Sequence, residues 1–234
     1  VTAEHTAGRA LVVAADKSWA STQEVAFAAY AREVGADMLM VKPPALRWSS
    51  LENYVGYYSA VSEHIPVMVV TNVFAENPLG QGLRVVEALR DRVQGILAVK
   101  DDLGGEFARK LSLLVHDGWA VISGGQKQNH LNMMPYGCDG YFSTFSKFAP
   151  SVAQDYWHAV ESDDWTLIRE TVANYDMPFF DLLLRGLSSD FFAGVYGTLE
   201  LFGVIERWTR PPCYRLNEEE MEVLADFFHG LGLL

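Results

Sequence analysis

The residues best suited to chemistry lie in one stretch, Val93-Gln94-Gly95-Ile96-Leu97-Ala98-Val99-Lys100-Asp101-Asp102. It is an apolar run without alternation that ends on a lysine and two carboxylates. A run of this kind reads as a strand buried on both faces, as in a parallel sheet. A lysine at the C-terminal end of such a strand is partly desolvated, and desolvation favours the neutral amine. A neutral amine in a pocket attacks carbonyl carbon and forms a Schiff base. The plainer reading is a strand-end lysine that faces water and pairs with Asp101 or Asp102. Residue types alone leave both readings open.

Other polar residues recur at the ends of apolar runs: Asp16, Lys42, Thr71, Asn72, Ser123 and Ser143. Thr71 and Asn72 either face a ligand or cap the loop that follows them. Ser143 either lines a pocket or bonds to backbone. Gly124 either admits a ligand closely or makes a turn. Lys147 either holds a substrate carboxylate or lies on the surface. The 6 histidines show no metal-ligand spacing, so no metal site is expected. The aromatic residues Phe179, Phe180, Phe191 and Phe192 read as core or subunit contact, not as a cofactor site.

The elements that must position these residues alternate strictly. Strands are predicted over Arg9–Ala15, Ala36–Val41, Ile65–Val70, Val93–Lys100, Trp119–Ser123 and Gly140–Thr144. Between them run stretches of helical period, such as Val25, Ala29 and Val34, or Leu51, Tyr54, Val55, Tyr58 and Val61. Ser21 or Thr22 and Ser49 or Ser50 are candidate N-caps, and Gly35 ends a helix. Val1 to Gly8 reads as the tail of a helix and a turn. From Pro150 onward the chain is helical, with a break at Arg210-Pro211-Pro212. Glu218, Glu219 and Glu220 favour the first turn of the last helix. Alternating strand and helix imply a parallel sheet, and a barrel gathers its site at the C-terminal strand ends. An open doubly wound sheet stays possible, although no GxGxxG or P-loop supports it.

The chain has 234 residues, half of them hydrophobic, which suffices for one large domain with a full core. A formal charge of −12 argues against nucleic acid and anionic membrane surfaces as partners. An anionic substrate must then be held by local groups. Cys138 and Cys213 have no metal or redox spacing, which fits a reducing compartment and a cytoplasmic location. No apolar run approaches the roughly 20 residues that span a bilayer.

Taken together the segments resemble the dihydrodipicolinate synthase / N-acetylneuraminate lyase family of Schiff-base (class I) aldolases. Gly35-Ala36-Asp37, before a strand that ends in Pro43-Pro44, is similar to the family's GAD…PP segment. Ile65-Pro66-Val67-Met68-Val69-Val70-Thr71-Asn72-Val73 resembles its IPVILYNVP strand. Gly95 to Asp101 is similar to the strand that carries its Schiff-base lysine. Ser123-Gly124-Gly125 stands where the family has SGDD. Gly137-Cys138-Asp139-Gly140-Tyr141-Phe142-Ser143 resembles GAxGxIS, and Arg210-Pro211-Pro212 its C-terminal RPP. The departures are informative. The family's first two strands, with the GTTGE motif that holds a substrate carboxylate, have no counterpart here. Thr71 replaces the catalytic tyrosine, and a threonine hydroxyl is a poor proton relay. Glu76 replaces an arginine of the synthases, and Ala45-Leu46 stand where two tyrosines are frequent. Glu76 together with Ala45-Leu46 argues against dihydrodipicolinate synthase itself.

The resemblance implies a (β/α)8 TIM barrel with a C-terminal helical extension, its first two strand units absent from this chain. Residues 1–150 would supply six βα units, and 151–234 helices packed on the same domain. The implied function is a lyase, aldolase or dehydratase, acting on a 2-oxo acid or sugar-derived oxo acid through an iminium at Lys100. Thr71 is the second catalytic candidate; Asn72, Gly124 and Ser143 are candidate substrate contacts. No dissociable cofactor is required, and a homodimer or homotetramer is implied, with Phe191, Phe192, Leu199 and Phe202 as contacts. The alternative is a barrel that binds an oxo acid or sugar acid without turnover, having lost the tyrosine. A metal-dependent aldolase is a third, weaker option.

Overall fold

A computed structural model describes residues 1–15, 17, 19–42, 49–74, 79–187 and 190–234, with the backbone alone at 79. Asp16, Pro43-Pro44, Ala45-Leu46 and Glu76, singled out above, lie outside the described residues. The chain divides into two compact units. The first comprises Val1–Gly125 and Asn129–Phe142, the second Gln126–Gln128 and Ser143–Leu234.

The first unit is a six-stranded, wholly parallel sheet in which every strand pairs with its neighbours in sequence, in the order β1-β2-β3-β4-β5-β6. The strands are β1 (Val13–Ala15), β2 (Met38–Val41), β3 (Val67–Val70), β4 (Ile96–Asp101), β5 (Ala120–Ser123) and β6 (Gly140–Tyr141). Helices α1 (Thr2–Thr6), α2 (Ser21–Glu33), α3 (Leu51–Ser62), α4 (Leu79–Arg92), α5 (Gly105–Val115) and α6 (Gln126–Met133) precede or join them. The α/β alternation read from sequence is therefore present, strand by strand. Local signals set the boundaries. The Ser50 hydroxyl accepts a hydrogen bond from Asn53 N at 3.1 Å and caps α3. Gly35, at φ 86°, takes up the left-handed backbone that lets the chain turn after α2.

The strands are shorter than the apolar runs that contain them, because apolar residues also anchor the turns. Ile65 and Val93 are buried ahead of their strands, while Leu11, predicted as strand, is exposed. One transverse row decides the faces of the sheet. Val41, Val69, Val99 and Val121 are mutual register partners and all belong to the helix-covered core. That core includes Tyr58 and Val61 of α3, Val86 and Leu89 of α4, and Leu111 and Val115 of α5, spaced as helical stripes. Because side chains alternate along a strand, the next row, Val70, Lys100, Ile122 and Gly140, points to the opposite face.

The second unit is helical: α7 (Pro150–Glu161), α8 (Trp165–Thr171), α9 (Met177–Asp181), α10 (Phe191–Leu201) and α11 (Glu218–Gly230), with π-helical turns at Val172–Asp176 and Leu182–Gly186. Pro150 occupies the first turn of α7, where a missing N–H costs nothing. Asn217 and Glu220 close a capping box on α11. The core is dense in phenylalanine; Phe148 and Phe179 each pack edge to face or tilted on one another and on both Phe145 and Phe228, with ring centroids 5.1–5.6 Å apart. Among the described residues, no helix is long and apolar enough to cross a membrane.

Candidate active site at the end of the fourth strand

Strand β4 carries Lys100 to the face of the sheet turned away from helices α3 to α5. Its side chain keeps 16% of its surface exposed, and its Nζ forms an ion pair with Asp102. The Nζ also lies 5.7 Å from the centroid of the Phe142 ring. An amine so placed is held at one point yet is still open to a ligand.

Gly124, the residue after β5, makes this placement possible. A Cβ there would lie 2.7 Å from Lys100 Nζ and 2.9 Å from Cε, and would collide with Asp102 Oδ1. The lysine and the glycine predicted to share a site are thus neighbours. The need for glycine is steric and local: the amine and its carboxylate fill the space that any side chain would take.

Asp101 and Asp102, adjacent in sequence, do different work. Asp101 is fully buried. Its Oδ1 accepts from the Thr71 hydroxyl at 2.8 Å and its Oδ2 from Gly104 N at 2.8 Å. Gly104, at φ 70°, turns the chain into α5 and presents that N–H. Asp101 therefore ties the loops after β3 and β4 together on the helix side. Asp102 emerges on the lysine's side.

Thr71 is fully buried at the start of a 3-10 turn, Thr71–Phe74. Its hydroxyl donates to Asp101 and accepts the Asp102 N–H at 3.0 Å. Both bonds serve the loop: the hydroxyl binds the Asp101 carboxylate and the Asp102 N–H. Asn72, next in the turn, has a buried Oδ1 that makes no hydrogen bond among the described residues. Phe74 packs on Tyr54 and Phe107 in the helix-side core.

Ser143 belongs to the second unit. There its hydroxyl lies 3.5 Å from Lys127 Nζ, and its carbonyl accepts from the Ser146 hydroxyl at 2.6 Å. Lys147 is exposed in the next turn.

The sequence reading missed Lys127. It is buried, pairs with buried Asp176 at 3.6 Å, and lies 4.5 Å from the Phe145 ring centroid. Burial pushes the Lys127 ammonium below its ordinary pKa and the Asp176 carboxyl above its own; their mutual attraction opposes both shifts. A lysine two residues beyond a strand-end Gly-Gly was the available signal. Two further groups of the first unit are held neutral. Burial lowers His130 to about 4, partly offset by a backbone hydrogen bond with Cys138. Burial likewise raises the Cys138 thiol to about 11, so it is not a thiolate nucleophile at neutral pH. Among the described residues, no group of three or more His, Cys, Asp or Glu is placed to hold a metal ion.

Comparison with known proteins bears on the fold and on the chemistry separately. The profile of the dihydrodipicolinate synthetase family matches residues 1–229. Among curated proteins, a probable 5-dehydro-4-deoxyglucarate dehydratase of Pseudomonas putida (strain W619) is 23% identical over 236 residues, covering 99% of this chain and 76% of that protein. A protein of the same description from Polaromonas naphthalenivorans (strain CJ2) is 25% identical over 213 residues, covering 89% of this chain and 69% of the relative. Among solved structures, a putative dihydrodipicolinate synthetase from Pseudomonas aeruginosa aligns with a TM-score of 0.82 at 23% identity, over 98% of this chain and 78% of the other. A prophage protein of the dihydrodipicolinic acid synthase family from E. coli K12, solved in complex with pyruvate, aligns with a TM-score of 0.84 at 20% identity, over 100% of this chain and 79% of the other.

Proposed function

We propose that this chain, which belongs to the dihydrodipicolinate synthetase family, is a Schiff-base lyase acting on a sugar-derived 2-oxo acid, with Lys100 as the nucleophile. The observation that carries the reading is Lys100 at the end of β4, on the face turned away from α3 to α5, with Gly124 leaving room for its amine. The amine adds to the ketone carbon, water leaves, and the resulting iminium withdraws electrons from the adjacent carbon. That carbon can then lose a proton, and a hydroxyl one carbon further on departs; cleavage to an aldehyde uses the same electron sink. The relatives described as dehydratases favour loss of water over carbon–carbon cleavage. Asn72, with an unused buried acceptor, is proposed as a substrate contact. Gly124 and Ser143 are proposed as further substrate contacts. Thr71 acts through Asp101 in this reading, since its hydroxyl is engaged there. Threonine at position 71 also weighs against dihydrodipicolinate synthase itself.

Borohydride reduction with pyruvate is expected to add the mass of a reduced adduct at Lys100. An unmodified lysine with every 2-oxo acid tried would overturn the proposal. One observation supports a second reading, a barrel that binds an oxo acid without turnover: the Thr71 hydroxyl, where the family has its catalytic tyrosine, is engaged by Asp101 and by the Asp102 N–H. A ligand that raises the melting temperature without trapping Lys100 would favour that reading. The enzyme is further proposed to be a cytoplasmic homodimer or homotetramer. Phe192 and Trp208 of the second unit are 70% and 62% exposed, more aromatic surface than a solvated face needs. Light scattering at micromolar concentration should show more than a monomer.

A further inference from the structure

Forming an iminium from an ammonium requires a group that takes a proton from nitrogen and delivers one to the departing oxygen. The group must sit within contact of the amine. On the face of the sheet turned away from α3 to α5, the acidic group in contact with Lys100 Nζ among the described residues is the carboxylate of Asp102. Asp101, adjacent in sequence, has each carboxylate oxygen engaged, by Thr71 and by Gly104. The Thr71 hydroxyl is spent on Asp101 and on the Asp102 N–H. Asp102 keeps 21% of its side-chain surface exposed, so it reaches solvent and substrate as well as the amine. The backbone bond from Asp102 N to Thr71 and the space left at Gly124 fix where the carboxylate stands.

We propose that Asp102 is the general acid–base catalyst of Schiff-base formation at Lys100. The inference rests on the Schiff-base reading above. The Lys100 ammonium gives one proton to the Asp102 carboxylate. The freed nitrogen lone pair forms the C–N bond as the carbonyl π pair moves to oxygen, and that oxygen takes the proton from Asp102. A second proton then passes from nitrogen to Asp102 and on to the carbinolamine hydroxyl. The C–O bond breaks, water leaves with both protons, and the nitrogen lone pair closes the iminium. One proton stays on nitrogen, and Asp102 ends as a carboxylate beside a cation, as it began. Thr71 and Asp101 are positioning residues in this scheme: they hold the backbone at 102.

The test is the rate at which the full chain is trapped at Lys100 by pyruvate and cyanoborohydride, followed by intact mass and peptide mapping. Asp102→Asn keeps the shape and removes the proton transfer. It should slow trapping by about 10²-fold or more, in the range of positioned acid–base groups, while the final adduct at Lys100 stays the same. Asp102→Glu should recover part of the rate, which a merely structural residue would not do. If Asp102→Asn lowers the melting temperature, Gly124→Ala serves instead. It retains both reacting groups, pushes them apart, and should slow trapping as well. Asp102→Asn trapped as fast as the natural chain, or faster, would show that the carboxylate only restrains the lysine, and would overturn the inference while leaving the Schiff base intact. A natural chain that is never trapped would remove both.

Discussion

The two units each hold a lysine–aspartate pair, and the pairs differ in solvent. Lys100 and Asp102 keep 16% and 21% of their side-chain surface; Lys127 and Asp176 keep 1% and 0%. A pair at a strand end retains part of its hydration, so either partner can exchange a proton with a visitor. A pair buried among Phe145 and Tyr156 has lost its hydration, and each charge depends on the other. The same two residue types thus give a half-accessible pair, the proposed reactive site, in one unit and a buried tie in the other. Access decides the difference, not composition.

The comparison breaks first at the lysines. Lys100→Met should abolish turnover and reductive trapping, a loss of at least about 10³-fold since the nucleophile is gone, and should lower the denaturation midpoint less than loss of the buried lysine does, because this pair keeps part of its hydration. Lys127→Met should do the reverse. It strands a buried carboxylate and is expected to cost about 3–5 kcal/mol in urea unfolding, whereas the double variant Lys127→Met/Asp176→Leu should recover most of that. Equal destabilisation by both single variants would end the distinction.

Acid sharpens it next. His130 is buried in the first unit and titrates near 4 against an ordinary 6.5. Its folded pKa lies below its unfolded one, so the unfolded chain binds the extra proton. The stability it contributes is complete above 6.5 and is lost as pH falls toward 4, a loss of order 3 kcal/mol from the size of the shift. Unfolding free energies between pH 7 and 4 should show this slope, and His130→Gln should flatten it. A smaller effect is expected at Thr71→Val. It deprives Asp101 and the Asp102 N–H of a buried partner, worth about 1–3 kcal/mol, and should slow trapping by displacing Asp102. The smallest belongs to the fully wet pair, Glu52 with Arg92, at 2.6 Å with 69% and 43% exposure. Glu52→Gln should leave the melting temperature where it was.

Periodicity made the first unit legible because a parallel sheet repeats one rule: apolar runs for strands, helical stripes between them. Lys100 and Gly124 could be found together since successive strand ends converge on one side of a sheet. The division of labour between Asp101 and Asp102 was not legible, because neighbouring residues on a strand face opposite sides and register alone decides which side meets the helices. Thr71 read as a member of the site for the same reason; one residue earlier, Val70 is the partner of Lys100. Lys127 and Asp176 are 49 positions apart in sequence and carry no local signature of each other. The π-helical turn that ends at Asp176 likewise depends on packing and not on residue propensity.

The order of the strands has a bearing on how the chain comes to hold its lysine. Among the described residues, each strand hydrogen-bonds to the ones before and after it in sequence. Each of these pairings closes a loop that spans a single helical connection. On a growing chain the sheet can lengthen from one side at the pace of synthesis. Lys100 sits on β4, flanked by β3 and β5. The surroundings of its amine are therefore complete once both neighbouring strands are in place, β5 bringing Gly124 beside it.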